Sequence, residues 1–393
     1  MSRLDELIQE LCPNGVEYRP LEECCTILDR KRKPVTKAAR EAGQYPYYGA
    51  NGIQDYVADY IFDGTFVLVG EDGSVITPTG TPVVTWATGK IWVNNHAHII
   101  EEKGDVLLRY LYHYLQIVDV TPLIHGNIPK LTGGDFKAIQ IPVPPLPVQS
   151  EIVRILDNFT ELTAELTAEL TARKKQYEFY RDKLLTFDSN ITIEKIGNLT
   201  EVFSAARVHR DEWTETGVRF WRSSDVISAF NGVPNSRGNA YISYDLYEKL
   251  VERSGKIQKG DVLVTGGGTI GIPYVVPDDE PLYVKDADLI DIKKCDCLHS
   301  RYIYHYFLSS TFRQYLSNIT HDATIPHYTI SQVKETPIPV PPYDVQERLV
   351  NLLDNFDAIC SDLNIGLPAE IEARQKQYEY YREKLLAFHE ISN

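Results

Sequence analysis

No run of about 18 or more consecutive apolar residues occurs in the 393-residue chain, so no segment offers a membrane-spanning helix. The start, Met1-Ser-Arg-Leu-Asp-Glu-Leu-Ile-Gln-Glu10, lacks a basic stretch followed by an apolar one and is not expected to be a secretory signal. Cysteine is scarce: six residues stand at 12, 24, 25, 295, 297 and 360. Cys24-Cys25 and Cys295-Asp-Cys297 lack the two-residue gap common in zinc sites, and no His pair accompanies them. Reduced cysteines in a cytoplasmic protein, with no metal site, are the expectation. Positive charge is also short, with a net charge of −15. A DNA-binding chain usually carries a basic footprint, so any such role requires local clusters, and partners that supply part of the positive surface. Local clusters exist at Arg30-Lys31-Arg32-Lys33, at Arg207 with His209 and Arg210, and at Arg219 with Arg222.

What the chain has in abundance is itself, twice. Ile141-Pro-Val-Pro-Pro145 recurs 197 residues later as Ile338-Pro-Val-Pro-Pro342. The same offset carries Ile128-Pro129 onto Ile325-Pro326, Gln149 onto Gln346, and Leu156-Asp-Asn-Phe159 onto Leu353-Asp-Asn-Phe356. Lys175-Gln-Tyr-Glu178 returns as Lys376-Gln-Tyr-Glu379, an offset of 201, so the second copy is longer by four residues inside this segment. Upstream only anchors survive, chiefly Arg109-Tyr-Leu-Tyr-His-Tyr114 and Arg301-Tyr-Ile-Tyr-His-Tyr306. A period this long is a domain duplication, not a solenoid.

Each proline-rich segment forbids helix and so sets where a helix begins. From Val148 to Phe187, residues Ile152, Leu156, Phe159, Leu162, Leu166, Leu170, Tyr177, Tyr180, Leu184 and Phe187 recur at threes and fours, a narrow apolar stripe. About 40 residues make a rod of roughly 60 Å. The second rod, Val345 to Phe388, has the same stripe, interrupted at Gly366 and Pro368, where a break is expected. Such stripes suit a coiled-coil seam. The expected fold class is α+β: two globular parts separated by a pair of long antiparallel helices forming a coiled coil, with a pseudo-two-fold internal repeat. The expected divisions are 1–145, 146–188, 189–342 and 343–393. Strands are predicted at Thr65–Val69, Pro82–Trp86, Ala97–Ile100 and Asp261–Thr265, and Tyr-rich helices at 106–117 and 300–317. Three tandem Glu-Leu-Thr-Ala tetrads, from Glu161, Glu165 and Glu169, read either as helical filler or as a ruler. Each tetrad adds about 6 Å of helix, one or two base-pair steps of about 3.4 Å.

Some motifs point to chemistry that their surroundings refuse. Gly266-Gly-Gly-Thr-Ile-Gly271 fits a dinucleotide fingerprint, but Ile272-Pro273-Tyr274 resumes an extended run where a helix must start. A hairpin turn is the leading reading, with backbone approach to a DNA phosphate beside it. Val340-Pro-Pro-Tyr343 looks like an amino-methyltransferase signature, yet Val cannot accept the hydrogen bond of a target amino group; it reads as a linker. No histidine sits at metal-binding helical spacing. His113 and His305, at matching places among tyrosines, read as structural, while His125 and His321 are candidates to face DNA.

The twin Ile-Pro-Val-Pro-Pro segments, the helices ending Lys-Gln-Tyr-Glu-x-Tyr-Arg-x-Lys-Leu-Leu, Tyr47-Tyr-Gly-Ala-Asn-Gly-Ile53, Gly260-Asp-Val-Leu-Val264 and Leu7-Ile-Gln-Glu-Leu-Cys-Pro-Asn-Gly-Val-Glu-Tyr18 together resemble one family over essentially the whole chain. It is the specificity subunits of type I restriction–modification systems. The resemblance implies a non-catalytic subunit whose globular parts each read half of an interrupted, asymmetric double-stranded DNA target. It implies helices that dock two methyltransferase subunits, which bind S-adenosylmethionine and methylate adenine, and a motor–nuclease subunit that joins them. No cofactor is expected in this chain. The side chains best suited to phosphates and base edges are Lys31, Arg32, Lys33, Tyr48, Asn51, Asn94 and Asn127 in the first part. In the second they are Arg207, Arg210, Arg222, Ser223, Ser224, Arg237, Thr269 and His327. The candidates for partner docking along the rods are Phe159, Leu162, Leu166, Leu170, Tyr177, Tyr180, Phe356, Tyr378 and Tyr381. The competing reading is a duplicated adaptor whose rods bind proteins and which has no DNA specificity.

Overall fold

A computed structural model describes residues 2–73, 75–125, 129–320, 326–362 and 365–391. The chain divides into two compact units, Met1–Glu165 with Glu372–Asn393, and Leu166–Ile371. The division passes through both rods. Each unit therefore contains the start of one rod and the end of the other.

In the first unit, strand Glu17–Pro20 pairs antiparallel with Gln140–Val143. A six-stranded sheet runs in the order Cys25–Ile27, Ala97–Glu102, Phe62–Gly70, Val84–Val93, Ala42–Gly49, Gly52–Val57. Its central strand is apolar on both faces. Val67 and Val69 enter the core shared with helix Leu108–Leu115 and the first rod, while Phe66 and Leu68 enter a second core. Alternation of side chains along a strand, with a layer packed on each face, accounts for that near-continuous apolar run. The rod begins immediately after Pro144-Pro145 and forms one helix, Leu146–Leu184. Val148, Ile152 and Leu156, four apart, are fully buried and fix the helix to the globular part.

The second unit repeats the ends of this plan and changes its middle. Strand Ile193–Lys195 pairs with Pro337–Pro339, as Glu17–Pro20 does with Gln140–Val143. Between them lie two four-stranded sheets in place of one six-stranded sheet. Strand Val262–Thr265 again feeds two cores, Val262 and Val264 to one and Leu263 to the other. Helix Ser300–Leu308 corresponds to Leu108–Leu115, and helix Ser310–Thr320 follows it. Within this unit the rods are antiparallel: Tyr180 stacks on Phe356, whereas Lys174, six residues earlier, acts on Cys360, four residues later.

The predicted strands Thr65–Val69 and Ala97–Ile100 fall inside Phe62–Gly70 and Ala97–Glu102, whereas Pro82–Trp86 begins two residues before Val84–Val93 and Asp261–Thr265 one residue before Val262–Thr265. The second rod breaks where Gly366 and Pro368 predicted, into Tyr343–Ser361 and Leu367–Leu386. Gly366 packs against the end of the first piece: a Cβ there would meet Asp362 O at 2.6 Å and Ala358 O at 2.7 Å, so only glycine allows this close turn.

Candidate nucleic-acid interface and helical clamp

The repeated Arg-Tyr-x-Tyr-His-Tyr anchor builds the same clamp twice. In the first unit the His113 ring is fully buried, with Nε2 2.8 Å from Asp157 Oδ1 and Nδ1 3.1 Å from the Tyr378 hydroxyl. Burial pushes this imidazole down to about 4 against the opposing pull of Asp157. It is therefore neutral, donating from Nε2 to the carboxylate and accepting at Nδ1 from Tyr378, an arrangement inferred from the partners' chemistry. Arg109 Nε donates to the same carboxylate oxygen at 2.8 Å and its guanidinium lies over Tyr112.

The second unit repeats these bonds and adds one, from Arg301 to Asp357. His305 Nε2 lies 2.7 Å from Asp354 Oδ1 and Nδ1 2.9 Å from the Tyr177 hydroxyl. Arg301 donates to Asp354 and Asp357 and lies over Tyr304. Burial lowers His305 as well. Burial also pushes Asp354 upward, but the bonds from His305 and Arg301 outweigh it and hold the carboxyl at about 2. The remaining tyrosines grip the proline strands. Tyr110 and Tyr114 donate to the carbonyls of Pro142 and Gln140, and Tyr302 and Tyr306 to those of Pro339 and Pro337.

A glutamine closes each clamp. Gln149 Nε2 donates to the carbonyls of Pro144 and Asp105 while its Oε1 accepts from Leu107 N. Gln346 does the same with Pro341, Cys297 and His299 N. Both side chains are fully buried, so losing either partner set would strand polar atoms.

Two of the proposed docking residues, Tyr177 and Tyr378, belong to this clamp and face inward. Others form an open apolar stripe. In the first unit Phe159 stacks on Tyr381 at 5.4 Å, and in the second Tyr180 stacks on Phe356 at 5.7 Å. Leu166 and Leu170 are half-buried. Leu162 is 46% exposed and its repeat equivalent Ile359 44%; Phe179 is 61% exposed and its equivalent Tyr380 59%. Leu146 and Tyr343 form a third exposed pair. Sequence reading passed over Phe179 and Tyr380, which lie off the stripe, Leu146 and Tyr343, which precede the predicted rods, and Ile359, which holds the place of Leu162 on it. Aligning the two copies at offsets 197 and 201 would have found them.

The proposed DNA-facing residues divide by environment. Lys31, Lys33, Asn51, Arg207, Arg210, Arg237, Thr269 and His327 are exposed. Asn51 tops the hairpin of Ala42–Gly49 and Gly52–Val57, and Thr269 sits in the Gly-rich turn. That turn is a hairpin: Gly271 N donates to Thr265 O, and strand Pro273–Val275 returns against Val262–Thr265. With no helix following, nothing there can hold a pyrophosphate as the dinucleotide fingerprint does. His327 lies beside Gly266 and Ala287 around a 200 Å³ cavity. Ala287, at φ 57°, is the sole non-glycine with positive φ among the described residues.

The rest have internal partners. Arg32 donates to Glu71 Oε2 and Ala97 O, both at 2.6 Å. Arg222 donates to Asp225 and Gly238 O. Ser223 Oγ donates to Asp288 O and Ser224 Oγ accepts from Asn235. Asn94 is buried, accepting from His96 N and donating to Gln54. The Tyr48 ring is buried. Asn127 and His321 lie outside the described residues. Asp29, Glu71 and His98 come close enough together to share a cation, but the Arg32 guanidinium already lies on both carboxylates. The group is a buried ion-pair network, and its chemistry does not fit an open metal site.

The comparisons agree with the duplication. A family model described as the type I restriction modification DNA specificity domain matches twice, at residues 13–176 and 190–373. A chain of Haemophilus influenzae named as a type I restriction enzyme specificity subunit is 38% identical over 384 residues, covering 95% of this chain and 96% of that one. The specificity subunit of the Escherichia coli EcoR124I/EcoR124II enzyme is 31% identical over 305 residues, 73% of this chain and 72% of its own length. Among solved structures, the type I restriction–modification S subunit of M. genitalium superposes with a TM-score of 0.56 at 14% identity, covering 95% of this chain and 97% of that one. A chain from a study of complex assembly and conformational transition of the type I R-M system gives 0.58 at 16%, covering 96% and 98%. The two structures speak for the fold and the two sequence relatives for the family: this chain belongs to the type I restriction–modification DNA specificity family, as a non-catalytic specificity subunit that recognises DNA sequence.

Proposed function

We propose that the chain reads an interrupted, asymmetric double-stranded DNA target, one half per globular part, and brings two copies of one adenine methyltransferase to it. The observation that carries this reading is the unequal divergence of the repeat. The clamps share their histidine, tyrosine and glutamine bonds, whereas the sheets between them differ in strand number and order. A shared partner docking twice preserves one kind of surface; two different half-sites require two different ones. The paired exposures of Leu162 with Ile359 and Phe179 with Tyr380 supply the docking surface. Each unit holds one member of each pair, which fits one methyltransferase per unit. The methyltransferases bring S-adenosylmethionine, this chain brings none, and a motor–nuclease subunit completes the restriction complex in the cytoplasm.

The test is methylome sequencing of cells that express the neighbouring methyltransferase with and without this chain. A methyladenine pattern in a two-part asymmetric motif, present only with this chain, is the expected result. Absence of any new pattern with an active methyltransferase present would overturn the reading in favour of an adaptor.

A further inference from the structure

The second clamp contains a pair of thiols that the first does not. Cys295 Sγ and Cys297 Sγ lie 3.1 Å apart in the bend that leads from strand Leu289–Ile292 into helix Ser300–Leu308. The corresponding turn of the first unit, which gives its carbonyl to Gln149, is Lys103-Gly-Asp105. Cys297 is exposed and Cys295 half-buried, whereas Cys12, Cys24, Cys25 and Cys360 are buried.

We propose that Cys295 and Cys297 are a modification site, a dithiol that a hydroperoxide converts reversibly to an intramolecular disulfide. Two peptide steps of about 3.8 Å each, folded at a bend, bring the Cα atoms within the roughly 4.4–6.8 Å that a disulfide spans. The sulfurs then need to close by about 1 Å to reach bond length. Although residue 297 is exposed, its Sγ turns toward Cys295 and the Leu199 carbonyl. Burial, with the bond to Cys295, pushes this thiol up to about 11; oxidation that starts at Cys295 or at Cys297 ends in the same disulfide. When it starts at Cys295, the peroxide O–O bond breaks as an S–O bond forms there, giving a sulfenic acid and releasing water or an alcohol. The Cys297 sulfur then attacks the Cys295 sulfur. Its proton leaves with the hydroxyl as water, and the S–S bond forms. The two thiols lose two electrons and two protons, and the peroxide takes up both. The Cys297 carbonyl also accepts from Gln346 Nε2 at 2.9 Å, so ring closure acts on the second clamp alone.

The experiment treats the reduced full-length protein with hydrogen peroxide, alkylates the remaining thiols, and maps peptides under non-reducing conditions. The expected result is loss of two of the six alkylatable thiols, with the mass of two hydrogens lost from the peptide holding both residues and restored by dithiothreitol. Cys295→Ser and Cys297→Ser should each abolish that mass loss, and since both positions lie near the surface the variants serve as controls on folded protein. The proposal is overturned if residues 295 and 297 stay alkylatable, gain oxygen singly, or link to another chain while no internal bond forms. It does not depend on the DNA-reading proposal and can fail or hold separately from it.

Discussion

Acidification should loosen the first clamp, with His113 as the cause. The ring titrates near 4 when folded, against an ordinary value of 6.5, so between these values the unfolded chain binds the extra proton. Stability therefore rises with pH across that window. The contribution is fully present above about pH 6.5, falls as pH drops toward 4, and changes no further below. At about 1.4 kcal/mol per tenfold change in proton affinity, the loss is about 3 kcal/mol. The side chain is fully buried, so solvent screening leaves little to discount. His113→Gln keeps an amide donor for Asp157 and an acceptor for Tyr378 but cannot take up the proton. Urea unfolding of both proteins at pH 7, 5.5 and 4 measures the difference. The wild type should be the more stable at pH 7, and the gap should shrink by about 3 kcal/mol by pH 4. A gap that stays constant with pH would refute the assignment of a neutral, buried ring. Asp354, held at about 2, titrates below this window and does not blur it.

Tyr177→Phe and Tyr378→Phe each leave a buried imidazole nitrogen without its donor, and each should cost about 1–3 kcal/mol in a thermal or urea melt. Arg32→Ala should destabilise the first unit by about 3 kcal/mol, because Asp29 and Glu71 lose the guanidinium they share. By contrast, Lys33→Ala should leave the melt unchanged and reduce the salt slope of DNA binding by about 1. Phe179→Asp with Ile359→Asp, the exposed pair members of the second unit, should reduce the methyltransferase bound per chain from two copies to one, read by light scattering of the complex. Deleting Glu165–Ala168 shortens the helix by about 6 Å and should preserve both half-sites while changing the gap between them in methylation mapping.

The rods, the break at Gly366 and the four strands were legible because each rests on a local rule. Proline stops a helix, apolar residues recur at threes and fours, and glycine permits close approach. The Arg-Tyr-x-Tyr-His-Tyr anchors stood out as repeats, but their purpose did not. His113 meets Tyr378, 265 residues away, and His305 meets Tyr177, 128 residues earlier. That exchange of rod ends between halves is a tertiary fact with no local signature. It also explains why Tyr177 and Tyr378 read as docking residues: on a helical stripe, an inward hydroxyl and an outward ring have the same spacing.

The residues proposed to face DNA were the least legible, for a related reason. Type and clustering identify a cation but not its neighbours. Arg30-Lys31-Arg32-Lys33 reads as one basic patch, yet Arg32 turns inward onto Glu71 while Lys31 and Lys33 remain exposed. Arg222 likewise answers the buried Asp225, while Arg207, Arg210 and Arg237 have no carboxylate partner among the described residues. Internal pairing thus removes part of a positive inventory already small beside a net charge of −15. A chain so constituted has few cations with which to displace counterions from a phosphate backbone. On the proposed function, its part in binding is to choose the sequence through base edges and turns such as Gly266–Gly271, and the methyltransferases brought to it would supply much of the charge that holds the duplex.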